Sequence, residues 1–386
     1  MNTPQFLISG FRFPFAAWLA RSLQAAGTQV TALDSNRAAL SKLIAPAVPF
    51  VRLPCLRAHP GRFLDAVNRL AKNAPATRLI PMFEESFWLA RQHALGRLDP
   101  SIVLFALPDA LITRLHSKFD VLALAQAAGL IAPRTEIVNN VADWRRLSVD
   151  YRAPLLKQEF SSFGHGVFLD PRIPLIEAQL PRRDGGRWLI QERLSGREVC
   201  TYNLAHNGKL LAHACYLPRH RWKQSAAFGF EALHHPDVEA FCRRFIAQHA
   251  LSGQISFDLM ETPDGLAIVE CNPRATNGLL LLDNVGARLL NAQDTDAPVL
   301  LPTDGDIRSF HCMLRSKARF AGAVQRAETA HEIARSSDLF AGVSAPRLTA
   351  AMSLHMLDIT QNMLRWRVPA RFASVADISW QYREAQ

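Results

Sequence analysis

The sequence has no run of five or more basic residues, no C-x-x-C pair, no uninterrupted apolar stretch of membrane-spanning length, and only seven lysines, at positions 42, 72, 118, 157, 209, 223 and 317. Without a basic run there is no tail to bind phosphate backbones, and no basic stripe with interleaved aromatics replaces it, so no nucleic-acid partner is expected. Cysteines 55, 200, 215, 242, 271 and 312 lack regular spacing. Neither a disulfide framework nor a zinc site is indicated, and free thiols in a reducing, cytoplasmic compartment are expected. The longest apolar stretch, Phe13 to Ala20, is far short of the roughly 18 residues a membrane span needs, so no membrane partner is expected. Arg12 and Arg21 flank it too closely for a signal peptide, and no small-residue cleavage site follows.

What is present describes a packed, mixed protein. Hydrophobic residues make up 49% and charged residues 20% of 386 positions, a balance that excludes a disordered chain, and at roughly 150 residues per domain the length suggests two or three units. Lys and Arg number 44 against 34 Asp and Glu, a net charge of +10, which favours anionic ligands without choosing among them. With arginine the default cation, a lysine in a chemically suggestive place carries more information.

Hydrophobic patterning reads strand, helix, strand over Gln5 to Ser9, Phe13 to Ala26 and Gln29 to Leu33. A helix near Gly61 to Lys72, a strand at Arg78 to Pro81, a helix near Glu84 to His93 and a strand at Ile102 to Ala106 follow. This alternation predicts an open parallel sheet. Asp34 ends the second strand where a ribose-binding acid would sit in a dinucleotide fold, but Gly10 is followed by Phe-Arg-Phe-Pro-Phe instead of a glycine fingerprint. Bulky side chains there argue against NAD or FAD. A helix is expected over Lys118 to Ala128, then short strands and turns from Pro154 to Asn277 broken by a helix at Pro236 to His249, then a mostly helical, Arg-rich region after Leu301.

Three segments carry chemistry. In the first, Lys157 leaves an apolar strand just before Ser161-Ser162-Phe163-Gly164-His165-Gly166, placing an ammonium beneath a flexible loop whose N–H groups suit phosphate oxygens. An ordinary hairpin with an exposed lysine is the preferred account of this segment in isolation. In the second, the strand Trp188 to Glu192 runs through Arg193, Leu194 and Gly196 to Glu198, a hinge whose acids and exposed backbone suit an adenine amino group and ribose hydroxyls. In the third, Asp258 and Glu270 lie on two strands joined by a Pro263-Asp264-Gly265 turn, with Asn272 and Arg274 just beyond. Oxygen donors converging from paired strands are ligands that magnesium takes when it bridges nucleotide phosphates. Arg274 suits a transferring phosphoryl group or a substrate carboxylate.

Taken together, the order and spacing of these segments resemble the ATP-grasp superfamily from about Lys118 to Gly278. The resemblance implies an α/β ATP-grasp fold with an N-terminal open parallel-sheet domain and a mostly helical C-terminal segment, divided at 1–115, 116–190, 191–300 and 301–386. It assigns nucleotide binding to Lys118, Lys157, Ser161, Ser162, Gly164, His165, Gly166, Glu192, Arg193, Leu194 and Glu198, metal binding to Asp258, Glu270 and Asn272, and catalysis to Arg274 with Lys157. It implies ATP and Mg2+, with Mn2+ as an alternative. The Glu-x-Asn-Pro-Arg form is similar to that of carbamoyl-phosphate synthetase and biotin carboxylase relatives, and the chain is much too short for the former. Two departures from the family pattern are Ser256, where many members carry Arg or a polar group, and Ala275-Thr276, where many have a glycine pair.

The implied reaction activates a small-molecule carboxylate as an acylphosphate and joins it to an amine; phosphotransfer to a hydroxyl or a nucleotide-binding regulator without turnover are the alternatives. The acceptor side is less defined. Tyr216, Arg219, His220, Arg221 and Lys223 follow a strand at Leu210 to Cys215 and read equally well as a solvated basic loop. Glu84 and Glu85 follow a parallel strand where ligands gather, but acids also suit a helix N-terminus, which is the preferred account. A homodimer is compatible with the sequence, and the region after Leu301 completes either an acceptor pocket or a subunit contact.

Overall fold

The computed structural model describes residues 5–72, 77–162, 164–182, 186–221, 227–294, 297–319 and 322–380. Lys223 and Phe163 lie outside the described residues. The first strands, β1 (Gln5–Ser9), β2 (Gln29–Asp34), β3 (Phe50–Arg52), β4 (Thr77–Pro81) and β5 (Ile102–Leu104), form a parallel sheet in the order β3-β2-β1-β4-β5. Connections reverse direction between β1 and β4, so the carboxyl ends of these two strands flank a crevice where open sheets gather ligands. Helices α1 (Pro14–Ala25), α2 (Ser41–Ile44), α3 (Pro60–Ala71) and α4 (Glu85–Ala94) connect them. Proline at the first turn starts α1 without losing a bond. Its buried Ala16, Ala17 and Ala20 let the helix come close to α10 (Val285–Leu290), where Ser22 accepts the Gly286 N–H at 2.8 Å.

A second sheet is antiparallel, in the order β6-β9-β7-β8: β6 (Thr135–Val138), β7 (Pro154–Gln158), β8 (Val167–Leu169) and β9 (Trp188–Glu192). Helices α7 (Val141–Ser148) and α8 (Ile173–Gln179) pack with it around a small core of its own that includes Trp144, Leu156, Ile176 and Trp188. Two helices, α5 (Asp109–His116) and α6 (Asp120–Ala127), lead into it.

The third sheet has seven strands in the order β14-β13-β10-β11-β12-β15-β16. Its members are β10 (Arg197–His206), β11 (Lys209–Arg221), β12 (Ala227–Ala232), β13 (Gly253–Thr262), β14 (Gly265–Asn272), β15 (Ile307–Ser309) and β16 (Ser337–Asp338). One face packs on α9 (Pro236–Gln248) through Phe241, Phe245 and Phe257. The other face shares a continuous core with the parallel sheet, running from Phe6 and Leu19 to Tyr202, Phe230 and Leu280. The segment after Leu301 is mainly helical, with α11 (His311–Arg319), α12 (Ala323–Arg335), α13 (Ala345–Trp366) and α14 (Ala370–Ala373), and it also supplies β15 and β16.

Several boundaries differ from the sequence reading. The helix expected from Lys118 begins at Asp120, because the Ser117 hydroxyl accepts the N–H groups of Phe119 and Asp120 and fixes the start of the turn. The strand expected to end at Cys215 continues to Arg221, since Arg219 and Arg221 pair with Gly229 and Ala227 of β12. Arg219, His220 and Arg221 are therefore strand, not solvated loop. Elements α2, β3, α5, α7, α8 and α10 have no counterpart in the sequence reading.

Candidate active site

The β13–β14 hairpin sets the centre of the site. Antiparallel register places Asp258 opposite Glu270 and Ser256 opposite Asn272, and directly opposed residues share one face of a sheet. The Asn272 amide donates to Asp258 Oδ2 at 3.3 Å. Desolvation, and then the Glu270 charge, push Asp258 well up from the usual carboxylate range. Desolvation would raise Glu270 too, but Lys118 and Lys157 outweigh it and hold Glu270 below its ordinary value. Two half-buried carboxylates with an amide oxygen beside them are hard donors that fit a divalent cation, which would relieve their repulsion. Among the described residues no three His, Cys, Asp or Glu side chains cluster as a metal site, so such an ion would complete its shell with phosphate oxygens or water.

Both expected lysines reach this hairpin. Lys118, buried between α5 and α6, places Nζ 3.4 Å from Glu270 Oε2 and donates to the Ser161 carbonyl at 2.5 Å. Lys157, on β7, is buried; desolvation, and then repulsion from Lys118, lower it to about 7 against the pull of Glu270. A third group locks the two lysine segments together. Glu159 accepts from the Ser117 hydroxyl at 2.6 Å and from Arg187 at 2.6 and 2.8 Å, while its backbone carbonyl accepts the Lys118 N–H at 3.2 Å. Sequence reading passes over Glu159, Ser117 and Arg187; a serine just before a helix is the one local signal among them.

The glycine-rich loop closes over Lys118. Gly164 and Gly166 both have positive φ, at 68° and 66°, and a Cβ on Gly166 would lie 2.8 Å from Gln158 Cβ, so only glycine lets the chain turn here. The Gly166 carbonyl accepts the Gln158 N–H at 2.8 Å, and the Ser162 carbonyl accepts the His165 N–H at 3.0 Å. The Ser162 hydroxyl donates to Glu84 at 2.5 Å, and His165 packs edge-on against Phe372, ring centroids 4.9 Å apart.

Arg274 is buried over the Phe83 ring, 4.2 Å from its centroid, with its guanidinium 3.8 Å from Glu84. Burial lowers its pKa, opposed by Glu84 and Glu270. The two departures near it meet each other: the Ser256 and Thr276 hydroxyls are 2.9 Å apart, and Ser256 also donates to the Arg274 carbonyl at 3.3 Å.

Placement of the hinge residues is less convergent. Glu192, half-buried, ends β9 opposite Pro154, and Leu194 follows in the hinge. Arg193 points to Asp170 at 3.7 Å on the surface, away from the lysines. Glu198 is gripped by Arg221 at 2.5 and 2.8 Å and lies two residues before Cys200, which stands opposite Asp258. Arg219 is likewise engaged, by Glu231 and Glu332. Glu84 and Glu85 do sit at the N-terminus of α4, as the helix-terminus account expects, though their side chains serve more than the helix. Glu85 does accept the Met82 N–H at 3.1 Å and the Ser9 hydroxyl at 2.8 Å, but Glu84 turns to the loop, to Arg274 and to the Trp380 N–H at 3.0 Å. Asp34, the rejected ribose acid, is filled by the Arg12 backbone and guanidinium.

The sequence matches no protein-family model and no curated protein. Solved structures do match. An N5-carboxyaminoimidazole synthase from Aspergillus clavatus, in complex with ADP and 5-aminoimidazole ribonucleotide, has a TM-score of 0.61 at 14% identity, over 83% of this chain and 87% of its own. The biotin carboxylase domain of Hydrogenobacter thermophilus 2-oxoglutarate carboxylase, a dimer bound to MgADP, ADP and bicarbonate, has a TM-score of 0.59 at 14% identity, over 80% and 74%. An L-amino acid ligase from Bacillus licheniformis has a TM-score of 0.54 at 16% identity, over 76% and 74%. The shared fold is the ATP-grasp fold.

Proposed function

We propose that this ATP-grasp chain is an ATP-dependent, ADP-forming ligase that joins a small-molecule carboxylate to an amine. The observation that carries the reading is the convergence of Lys118, Lys157 and the Asp258–Glu270 pair beneath a glycine-rich loop. Few other uses explain two desolvated ammonium groups aimed at paired carboxylates. The structural neighbours support it: their names describe an N5-carboxyaminoimidazole synthase, a biotin carboxylase domain and an L-amino acid ligase, two of them bound to adenine nucleotide.

In this reading Asp258, Glu270 and Asn272 would hold Mg2+ or Mn2+, which would supply charge neutralisation at the nucleotide phosphates. Lys157 and Lys118 offset the negative charge of the β- and γ-phosphates, and the loop from Ser161 to Gly166 covers them. Glu192, Leu194 and Glu198 line the nucleoside end, with Arg193 at its surface. The γ-phosphoryl group passes from ATP to a carboxylate oxygen of the acid, with ADP as the leaving group: one P–O bond breaks and one forms. The amine then attacks the acyl carbon, forms the C–N bond, loses a proton, and expels inorganic phosphate. Arg274 is positioned to stabilise the charge in both steps, so catalysis is mainly electrostatic and geometric. Exclusion of water by the loop protects the acylphosphate.

The reading extends to a cytoplasmic setting, consistent with six free cysteines. No helix of the described residues is long and apolar enough to cross a membrane. A homodimer is part of the proposal, since one neighbour is described as a dimer. Release of ADP and phosphate from MgATP, assayed over pools of acids with and without amines, tests the reaction. Products that appear only with an acid–amine pair support the ligase; a phosphorylated product without free phosphate indicates a kinase; no turnover with any pool indicates a regulator.

A further inference from the structure

The glycine-rich loop is held from outside by a segment more than a hundred residues further along the chain. After α13 the backbone turns at Arg367, in the left-handed region at φ 52°, passes through α14 and returns along the carboxyl edge of the parallel sheet. Its fixed end is a buried ionic junction. Asp377 accepts from the Arg12 guanidinium at 2.5 and 2.9 Å and from the Ser35 hydroxyl at 2.5 Å, and its backbone carbonyl accepts the Arg57 N–H at 3.1 Å. Arg12 also donates to the Ser374 carbonyl at 2.9 Å.

Other contacts reach the loop and the residues beside it. The Phe372 ring meets His165 edge-on. The Trp380 ring lies 5.1 Å from Phe160, which leads into the loop, and 5.6 Å from both His116 and Phe87. The Trp380 N–H donates to one oxygen of Glu84 while the Ser162 hydroxyl donates to the other. One buried carboxylate thus ties segment and loop to the parallel sheet together. A glycine-containing turn has few buried contacts of its own, so aromatic pairs of this kind weigh heavily in its opening equilibrium.

We propose that residues 369–380 are a latch on the glycine-rich loop, anchored through Asp377 to Arg12 and engaging it through Phe372 on His165, Trp380 on the preceding Phe160, and the Glu84 carboxylate shared with Ser162. The latch favours the lowered loop, in which Ser161 meets Lys118, and opening the loop requires Trp380 and Phe372 to let go. The inference rests on the ligase reading only in treating that loop as a cover for nucleotide.

Hydrogen exchange of the full-length protein, measured with no nucleotide or acceptor present, tests it. Trp380→Ala and, separately, Phe372→Leu are expected to speed exchange of the Gln158 and His165 amides by about three- to tenfold, with β10 and β13 amides unchanged. Trp380→Phe restores slow exchange. Unchanged exchange in the loop overturns the latch. An equal rise across β10 and β13, or failure of both variants to fold, overturns it too, because the segment is then a general structural support. A local rise in a protein with no turnover leaves the latch standing and removes the ligase.

Discussion

Asp258 and Glu270 stand directly opposite each other across an antiparallel strand pair, with Lys118 3.4 Å from Glu270. The lysines relieve Glu270, but Asp258 is desolvated beside that like charge with no cation of its own, so its ionised form opposes folding. At pH 8, where both are ionised, Asp258→Asn is therefore expected to raise the ligand-free melting temperature by roughly 2 °C. The same variant loses the added stability that magnesium and ADP confer on the unmodified protein. Thermal melts with and without MgADP check both halves, and a destabilised Asp258→Asn protein that still gains from MgADP contradicts the assignment.

Lys157 supplies a proton test of nucleotide binding. Lowered to about 7, it is roughly nine-tenths neutral at pH 8. An incoming phosphate favours the ammonium form, so ADP binding in excess magnesium takes up a proton. Calorimetry in two buffers of different ionisation enthalpy measures that uptake. In Lys157→Met the uptake disappears and affinity falls by about tenfold or more.

Glu84 joins three segments, and its removal strands a buried cation. Glu84→Ala leaves Arg274 without its carboxylate neighbour and frees the Ser162 and Trp380 donors. A loss of about 3 kcal/mol in urea unfolding is expected, against about 1 kcal/mol for Glu84→Gln. Equal losses for the two variants would make the charge, which both remove, the important property, and not the shape and hydrogen bonding that Gln keeps.

His213 lies far from this chemistry, buried under α9 with Nδ1 2.7 Å from Asn203 Oδ1. Burial, and then the charge of Arg243, lower it to about 3, and burial also lowers His116 to about 3. An unfolded histidine protonates near 6.5, so between about 6.5 and 3 the unfolded chain binds the extra proton and stability falls with falling pH. Each contributes up to about 1.4 kcal/mol per pH unit in that window. His213→Gln removes one such slope, so its deficit against the unmodified protein shrinks as pH drops from 6 to 5. Urea titrations at pH 7, 6 and 5 measure the difference.

Much of the fold was legible because local pattern and tertiary need agree. The Phe6-Leu7-Ile8 run, Pro14 at the head of α1 and the Asp264-Gly265 turn each announce their element. Phe50–Arg52 and Ser41–Ile44 are too short to set up a period, and α5 and α8 carry weak signals. The facing of Asp258 and Glu270 was readable because strand register follows from spacing, whereas the meeting of Lys118, Lys157 and the loop with that pair was expected only from the family resemblance. The roles of Glu84 and Arg221 were not readable. Glu84 meets Ser162 and Trp380, 78 and 296 positions away, and Arg221 reaches Glu198 only because β11 extends past Cys215 along β12. Separations like these leave no trace in a window of a dozen residues.

The junction of Arg12 with Asp34 and Asp377 also fixes a timetable. During synthesis Arg12 and Asp34 emerge early, while Asp377 comes 365 positions after Arg12. For that interval the guanidinium has one carboxylate partner instead of two. The parallel sheet can assemble on the ribosome, but its edge stays unsealed until the late segment arrives, and this is the stage at which a nascent chain is most exposed to chaperones and to aggregation.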